Sequence, residues 1–412
     1  MRHCLIVRIN RLISCKNSEI IFPYLQFWFT IHNSAFMKVF FNKPHYPIGS
    51  FLAVYKSAAG GTIAGNGKYT KRCQQFFEEK YGFRKALLTT SCTDALEMAA
   101  ILAGIQNGDE VIMPSFTFVS TANAFLVKGA KVIFSDTLQA VPDIDPDQIE
   151  SLITSRTKAI AVVHYSGIAC DMDKIMAIAA RHNLFVIEDA AHAIDSYYKD
   201  KPLGSIGHFG AFSFHETKNI FCGEGGMIAV NDEQSLGRSE IIWEKGTNRA
   251  AFFRGEVDKY GWVDVGSSFL PSDALAAFLY IQLKNLPKIQ QKRIAIWNRY
   301  YDELRPLEDN GFLHLPVIPS YATVSGNLFY FLTRSNAERD KMLKHLNSYG
   351  IQAVFHYLPL HSSPYFTGKH DGRPLPNTDN FANCIVRLPF FYGLKKSEIS
   401  FIVEKVGEFF KL

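Results

Sequence analysis

The chain has no apolar run approaching the roughly 18 residues that a membrane-spanning helix requires, so no transmembrane helix is expected anywhere in its 412 residues. It has no C-x-x-C pair and no close cluster of His and Cys, which excludes the common zinc frameworks, and no metal site is expected. The seven cysteines (Cys4, Cys15, Cys73, Cys92, Cys170, Cys222 and Cys384) are odd in number and far apart, the pattern of reduced thiols in a cytoplasmic protein. A strong charge of either sign is also missing. The net charge of +5 is small for this length, and the basic residues are scattered rather than striped. Nucleic acid is therefore not an expected partner, whereas anionic small molecules suit the balance. Internal repeats and low-complexity tracts are absent. What is present, 47% hydrophobic and 20% charged residues, is ordinary for a globular protein, and the length allows two domains.

Residues 1–36, MRHCLIVRINRLISCKNSEIIFPYLQFWFTIHNSAF, carry early basic residues, but Arg8, Arg11, Lys16 and Glu19 interrupt the apolar stretches. A secretory signal needs an unbroken apolar centre and a small-residue cleavage motif, and neither is found. The segment reads as an extension outside the fold, with a more conventional sequence opening at Met37.

From about residue 68 helical and strand patterns alternate. YTKRCQQFFEEKYG is a polar-faced helix ended by Gly82, and SCTDALEMAAILAGI puts Leu96, Ala99, Ala100 and Ala103 on one helical face. DEVIMP is a short buried strand, followed by a helix from about Ser120, and AKVIFSD is the next strand. In DIDPDQIESLI, Asp145 is an N-cap, Pro146 opens the helix and Gln148 stands three on from the cap. KAIAVVHY, DMDKIMAIAARHN and LFVIEDAAH continue as strand, helix and strand. Such alternation predicts a mostly parallel sheet covered on both faces, an α/β fold. After about residue 285 the long charged helix IQQKRIAIWNRYYDELRPL leads to a smaller C-terminal α/β domain, in which GNLFYFLTR and IQAVFHYLPLH read as strands and KKSEISFIVEKVGEFF as the last helix. The expected division is thus an extension at 1–36, a large domain at 37–285 and a small one at 286–412.

Two glycine-containing stretches resemble nucleotide loops and fail the test. In GNGKYTK no Gly stands five positions before Gly67, and Tyr69 follows the Lys where Ser or Thr is required. GSIGHFG, residues 204–210, lacks the strand-to-helix order of a dinucleotide fingerprint. Both read as plain turns.

Four other features are each ambiguous alone. In TTSCTDAL, Ser91, Cys92 and Thr93 open a helix, which is either ordinary capping or an anion site. In PSFTFVSTANAF, Phe116 and Phe118 follow a strand end, as core residues or as a stacking surface. In VIEDAAH, Asp189 ends a strand at the edge where open parallel sheets bind ligands, although Glu188 or Asp189 could instead cap a following helix. In FSFHETKNIFCGEGG, Lys218 stands between an aromatic-serine strand and a glycine-rich turn. Taken in order, these supply what pyridoxal phosphate needs: a helix N-terminus for the phosphate, a stacking ring, a carboxylate for the pyridinium nitrogen and a lysine for the aldehyde.

SFHETKN, GDEVIMPSFTFVSTANAF, VIEDAAH, EKGTNR, FHYLPLH and RLPFFYGL resemble segments of the sugar-nucleotide aminotransferases of the DegT/DnrJ/EryC1/StrS family, a branch of the fold type I pyridoxal-phosphate enzymes, from about Met37 to the C-terminus. The resemblance implies that Lys218 bonds the cofactor aldehyde and shuttles a proton, and that Asp189 pairs with the ring nitrogen. It implies further that Ser213, with Ser91 and backbone groups at Cys92 and Thr93, binds the phosphate, and that Phe118 stacks on the ring. Asn248 in KGTNR would reach the cofactor phosphate of the neighbouring subunit, which makes the homodimer obligatory. Three residues after the Asp, the family branch that aminates C4 of a dTDP-4-keto-6-deoxy sugar carries Gln. This chain carries His192, as other family members do, near the cofactor's 3-oxygen. Dehydrating members replace the lysine with His; Lys218 is kept here, which favours transamination. The implied substrates are glutamate and a dTDP-keto-sugar, on a route to amino sugars of bacterial surface polysaccharides. A C3-specific enzyme is the alternative, and so is a non-catalytic sensor of cofactor or sugar nucleotide, against which the intact Lys218 and Asp189 argue.

Overall fold

Short strands that are apolar at every position need cover on both faces. In the computed structural model, which describes residues 39–61 and 63–411, they form one sheet of seven strands. The expected extension at 1–36 lies outside the described residues. In chain order the strands are β1 (Lys85–Thr89), β2 (Glu110–Pro114), β3 (Lys131–Ser135), β4 (Thr157–Val163), β5 (Phe185–Asp189), the pair β6 (Tyr197–Tyr198) and β7 (Lys201–Pro202), β8 (Phe209–Ser213) and β9 (Gly226–Val230). Without β6 and β7, which pair with each other, the spatial order is β1-β9-β8-β5-β4-β2-β3, and only β9 runs against its neighbours. Alternate residues divide between two apolar layers. Ile112, Ile160, Val162 and Val186 belong to one. Val111, Met113, Ala161 and Ile187 belong to the other.

The helices are α1 (Ser50–Ala59), α2 (Lys68–Tyr81), α3 (Cys92–Leu102), α4 (Val119–Leu126), α5 (Pro146–Leu152), α6 (Met172–His182), α7 (Leu236–Trp243), α8 (Arg249–Phe253), α9 (Asp273–Lys284), α10 (Leu286–Asp309), α11 (Asn336–Ser348), α12 (Pro376–Cys384) and α13 (Lys396–Lys411). Their ends follow local chemistry. Gly82 closes α2 in the left-handed conformation at φ 69°. Asp145 caps α5 by accepting from the Asp147 N–H, and the Gln148 amide donates to the same carboxylate at 2.9 Å.

The C-terminal third has its own core, in which Ile296, Trp297, Tyr300 and Leu304 of α10 pack with Phe329, Phe331, Ile399, Ile402 and Val406. Val39 belongs to this core as well. We propose that the chain divides near Asn285, with Val39 on the C-terminal side. Here two strand expectations need correction. GNLFYFLTR contributes only β10 (Tyr330–Leu332), antiparallel to β11 (Ile385–Arg387). IQAVFHYLPLH forms no strand; Ile351 and Val354 make single bridges to Val39 and Arg387. Pro359 has no N–H to give a ladder, and the next residue, Leu360, donates to the Ser115 carbonyl at 3.0 Å.

The two rejected nucleotide loops are not plain turns, because each wraps a carboxylate of the chain itself. At the start of α2, Asp273 accepts from the Tyr69 and Thr70 N–H groups and from Thr70 Oγ1, at 3.3, 2.8 and 2.9 Å. In GSIGHFG, the N–H groups of Gly204, Ile206 and Gly207 donate to buried Glu188 at 2.7, 2.8 and 2.5 Å. His164 Nε2 lies 2.9 Å from the same carboxylate. Glu188 therefore ties the β7–β8 turn to the end of β5. Glu188→Ala would leave these donors buried and unpaired, and is expected to cost about 3 kcal/mol or more, read as a drop in the urea midpoint. A loss below about 1 kcal/mol would show that the turn holds without it.

Candidate active site

The C-terminal ends of β4, β5 and β8 adjoin, with Val163 opposite Asp189 and Asp189 opposite Ala211. A cavity of about 460 Å³ opens there and reaches the C-terminal elements. Of the residues anticipated from sequence, Ser91, Cys92, Thr93, Phe118, Asp189, His192, Ser213 and Lys218 all line it. Asn248 does not: it precedes α8, and its Oδ1 accepts from the Gly261 N–H at 2.8 Å.

The α3 N-terminus is compatible with both readings. Ser91 Oγ accepts from the Asp94 N–H at 3.1 Å, an ordinary cap. Cys92 and Thr93 have no carbonyl one turn earlier to bond, so their N–H groups stay available to an anion. Gly226 at the start of β9 makes room for this turn, since a Cβ there would overlap the backbone of Ser91 and Cys92. The two phenylalanines separate cleanly: Phe116 is fully buried, whereas Phe118 is 55% exposed at the cavity.

Asp189 and Glu188 face opposite ways, as neighbours on a strand must. No helix follows β5, so neither carboxylate caps one. Asp189 accepts from Thr121 Oγ1 at 2.6 Å and from the Ala191 N–H at 3.2 Å, and Thr121 in turn meets Thr117 Oγ1 at 2.8 Å. Burial pushes the Asp189 carboxyl up, against the pull of these hydrogen bonds. A carboxylate that is costly to charge while alone is well placed to take a cationic partner.

Lys218 sits on the loop between β8 and β9. That loop is clamped at its base: Phe214 N–H to Gly225 O at 2.8 Å, Cys222 N–H to Phe214 O at 2.9 Å and Glu216 N–H to Gly223 O at 3.0 Å. The next residue, Asn219, is buried; it donates to Gln290 Oε1 and the Ser325 carbonyl and accepts from Asn327 Nδ2. Burial pushes the Lys218 amine down to about 8, with Arg387 adding to the fall and Cys92 and Asp189 opposing it. His192 is pushed well below its usual range by burial first and then by the charges of Lys218 and Arg387, so the ring is neutral. Its Nδ1 accepts from the Ser166 N–H at 3.2 Å, which puts the proton on Nε2 as a donor.

Sequence reasoning missed Thr121, His356, Tyr357, Asn327 and Arg387. Tyr165 Oη lies 2.9 Å from His356 Nδ1, and Tyr357 lies against Phe116 and Phe118. His356, Tyr357 and Arg387 occur in FHYLPLH and RLPFFYGL, which carried the resemblance without being resolved into roles. The available signal was one Arg within the otherwise apolar IVRLPFF.

These residues fit pyridoxal phosphate: donors at a helix N-terminus beside Ser213 for the phosphate, an exposed ring, a buried carboxylate, and an amine with a lowered pKa. A model of the DegT/DnrJ/EryC1/StrS aminotransferase family matches residues 50–407. The spore coat polysaccharide biosynthesis protein SpsC of Bacillus subtilis (strain 168) is 33% identical over 352 residues, covering 82% of this chain and 90% of its own length. Helicobacter pylori PseC, an aminotransferase involved in the biosynthesis of pseudoaminic acid, has a TM-score of 0.82 at 25% identity, over 90% of this chain and 99% of its own. The PLP-form of the putative sugar aminotransferase Spr1654 from Streptococcus pneumoniae, at 24% identity and a TM-score of 0.83 over 90% of this chain and 98% of its own, shares the fold.

A lysine near pKa 8 reacts as a free amine two to three pH units below an ordinary one. The rate at which the cofactor-free protein captures pyridoxal phosphate is expected to rise with pH and level off above about 8. A rise continuing toward the ordinary lysine range of about 10 would contradict this setting.

Proposed function

This chain belongs to the DegT/DnrJ/EryC1/StrS aminotransferase family, whose cofactor is pyridoxal 5'-phosphate, and from that premise we propose how its site works and on what. The reading rests above all on Lys218 and Asp189 lining one cavity together with the open α3 N-terminus. Bound there, the cofactor supplies an aldehyde that carries an amino group between substrates and a ring that takes up electron density. Ser213, Ser91 and the Cys92 and Thr93 N–H groups would hold its phosphate, Phe118 would cover its ring and the His192 Nε2–H would be a donor near its 3-oxygen. Asp189 would pair with the ring nitrogen and keep it protonated. Lys218 Nζ would be the amine that holds the aldehyde carbon, with water as the leaving group. With its amine free, Lys218 would be the base that takes the donor's α-proton and the acid that delivers a proton to the acceptor's carbon in the second half-reaction.

The donor is L-glutamate, leaving as 2-oxoglutarate. The acceptor is the C4 ketone of dTDP-4-keto-6-deoxy-D-glucose, giving dTDP-4-amino-4,6-dideoxy-D-galactose. Support comes from the sequence segments named above and from the polysaccharide and amino-sugar roles in the names of SpsC and PseC. The enzyme works as a cytoplasmic homodimer. Asn248, outside its own chain's cavity, lies on a surface where Phe253, Tyr260 and Trp262 are exposed, the kind of apolar patch that a second subunit covers.

Two experiments test this. NMR of the product formed from glutamate and the keto-sugar is expected to show the new amine at C4. An amine at C3 would favour the C3-specific alternative, and a bound-cofactor absorbance band that no amino donor bleaches would favour the sensor. Separately, Lys218→Ala and Asn248→Ala should each be nearly inactive and regain activity on mixing, because each mixed dimer then holds one site with neither defect. No recovery would place Asn248 at its own chain's site.

A further inference from the structure

A Thr inside a helix often turns its hydroxyl back to the carbonyl four residues earlier. Thr121, in the first turn of α4, turns elsewhere: its Oγ1 donates to Asp189 Oδ2 at 2.6 Å. Thr117, four residues before it in the turn after β2, meets Thr121 Oγ1 with its own hydroxyl at 2.8 Å. Both threonines are buried, and so are their apolar neighbours Phe116, Ala122, Ala124 and Phe125. A buried hydroxyl is costly unless paired, and a valine would fill nearly the same space without that cost. Two hydroxyls in such surroundings point to a partner that needs their protons.

Proton counting fixes the direction of the chain. A hydroxyl has one proton to give and two acceptor sites. The Thr121 proton goes to Asp189, so the Thr117 proton goes to Thr121 Oγ1. Both bonds then run toward the carboxylate, and each polarises the other. The second carboxylate oxygen, Oδ1, takes the Ala191 N–H at 3.2 Å, and the remaining lone pairs are left for the cavity that Asp189 lines.

The other groups around Asp189 give it unsteady help. Burial disfavours its charge, and the charges of Lys218 and His164 oppose that effect. Cys92 and Tyr357 bring no positive charge, because burial raises both and keeps them protonated. The Lys218 amine loses its charge above about 8. A threonine hydroxyl does not titrate in the range where proteins are folded, so its proton is a fixed donor.

We propose that Thr121, with Thr117 behind it, is a positioning residue that orients the Asp189 carboxylate and sustains its negative charge without relying on Lys218. This deepens the role given to Asp189 above and rests on it.

The test begins with the whole chain freed of cofactor. The infrared carbonyl band of protonated Asp189 is identified as the one absent from Asp189→Asn. Its titration midpoint is expected to move up by roughly one to two pH units in Thr121→Val, the loss of one hydrogen bond to a charged group. Thr117→Val should move it less in the same direction, and Thr121→Ser should keep the parent value. An unmoved midpoint in Thr121→Val overturns the proposal. So does an equal movement in Thr121→Ser, because lost methyl packing and not the hydroxyl would then be responsible. In the loaded enzyme, the limiting rate of cofactor bleaching by glutamate should fall roughly ten- to a hundredfold in Thr121→Val, with the half-saturating glutamate concentration little changed. A lower melting temperature with an unchanged rate would mark a merely structural threonine and also overturn it. NMR of pyridoxal phosphate with an isotopically labelled ring nitrogen separates the two readings. A ring nitrogen without a proton in the parent enzyme, beside a shifted infrared midpoint, would keep the hydroxyl chain and reject the ring-nitrogen role of Asp189.

Discussion

Two adjacent carboxylates at the end of β5 set the geometry of this molecule. A strand turns successive side chains to opposite faces, so Glu188 and Asp189 cannot serve the same place. Glu188 collects the N–H groups of the β7–β8 turn and closes the region behind the sheet edge. Asp189 emerges in the cavity, steadied by Thr121 from α4. The first fixes where the second stands. With β5 pinned between β4 and β8, the ends of all three strands come to a common edge, and there the lysine loop and the α3 turn meet.

Electrostatically the cavity is unusual in how little mobile charge it retains. Burial lowers Lys218, His192 and His356 and raises Asp189, so each group is shifted toward its neutral form. Such a site gains from any ligand that brings the complementary charge, because pairing relieves desolvation already present in the empty fold. A pyridinium opposite Asp189 and a phosphate at the α3 N-terminus would each do so.

Much of this was legible in the sequence, and what was not has a physical reason. Strands such as DEVIMP and KAIAVVHY announce themselves because burial on both faces leaves them no polar position. The helix ends at Gly82 and Asp145 follow from local backbone chemistry. Lys218 and Asp189 stood out by their place after strands in a recognisable order. His356 and Tyr357 did not, because FHYLPLH has the composition of a strand and only tertiary contacts turn it into a cavity wall. Arg387 stayed hidden for a related reason: its Nε is buried without a hydrogen-bond partner, and a missing partner leaves no mark on spacing. The carboxylate-binding roles of GNGKYTK and GSIGHFG were equally invisible, since Asp273 and Glu188 reach those turns from elsewhere in the chain.

The clamp at the base of the lysine loop has a mechanical consequence. With Phe214, Gly225 and Cys222 tied together and Asn219 anchored to α10, the Lys218 Cα is a fixed pivot. All travel of the amine must then come from rotations along its own methylene tether. Such rotamer changes take picoseconds to nanoseconds, many orders faster than typical turnover. The backbone thus serves as a stationary mount, and in the role proposed above the lysine would carry a proton between two neighbouring atoms by rotations of its own side chain.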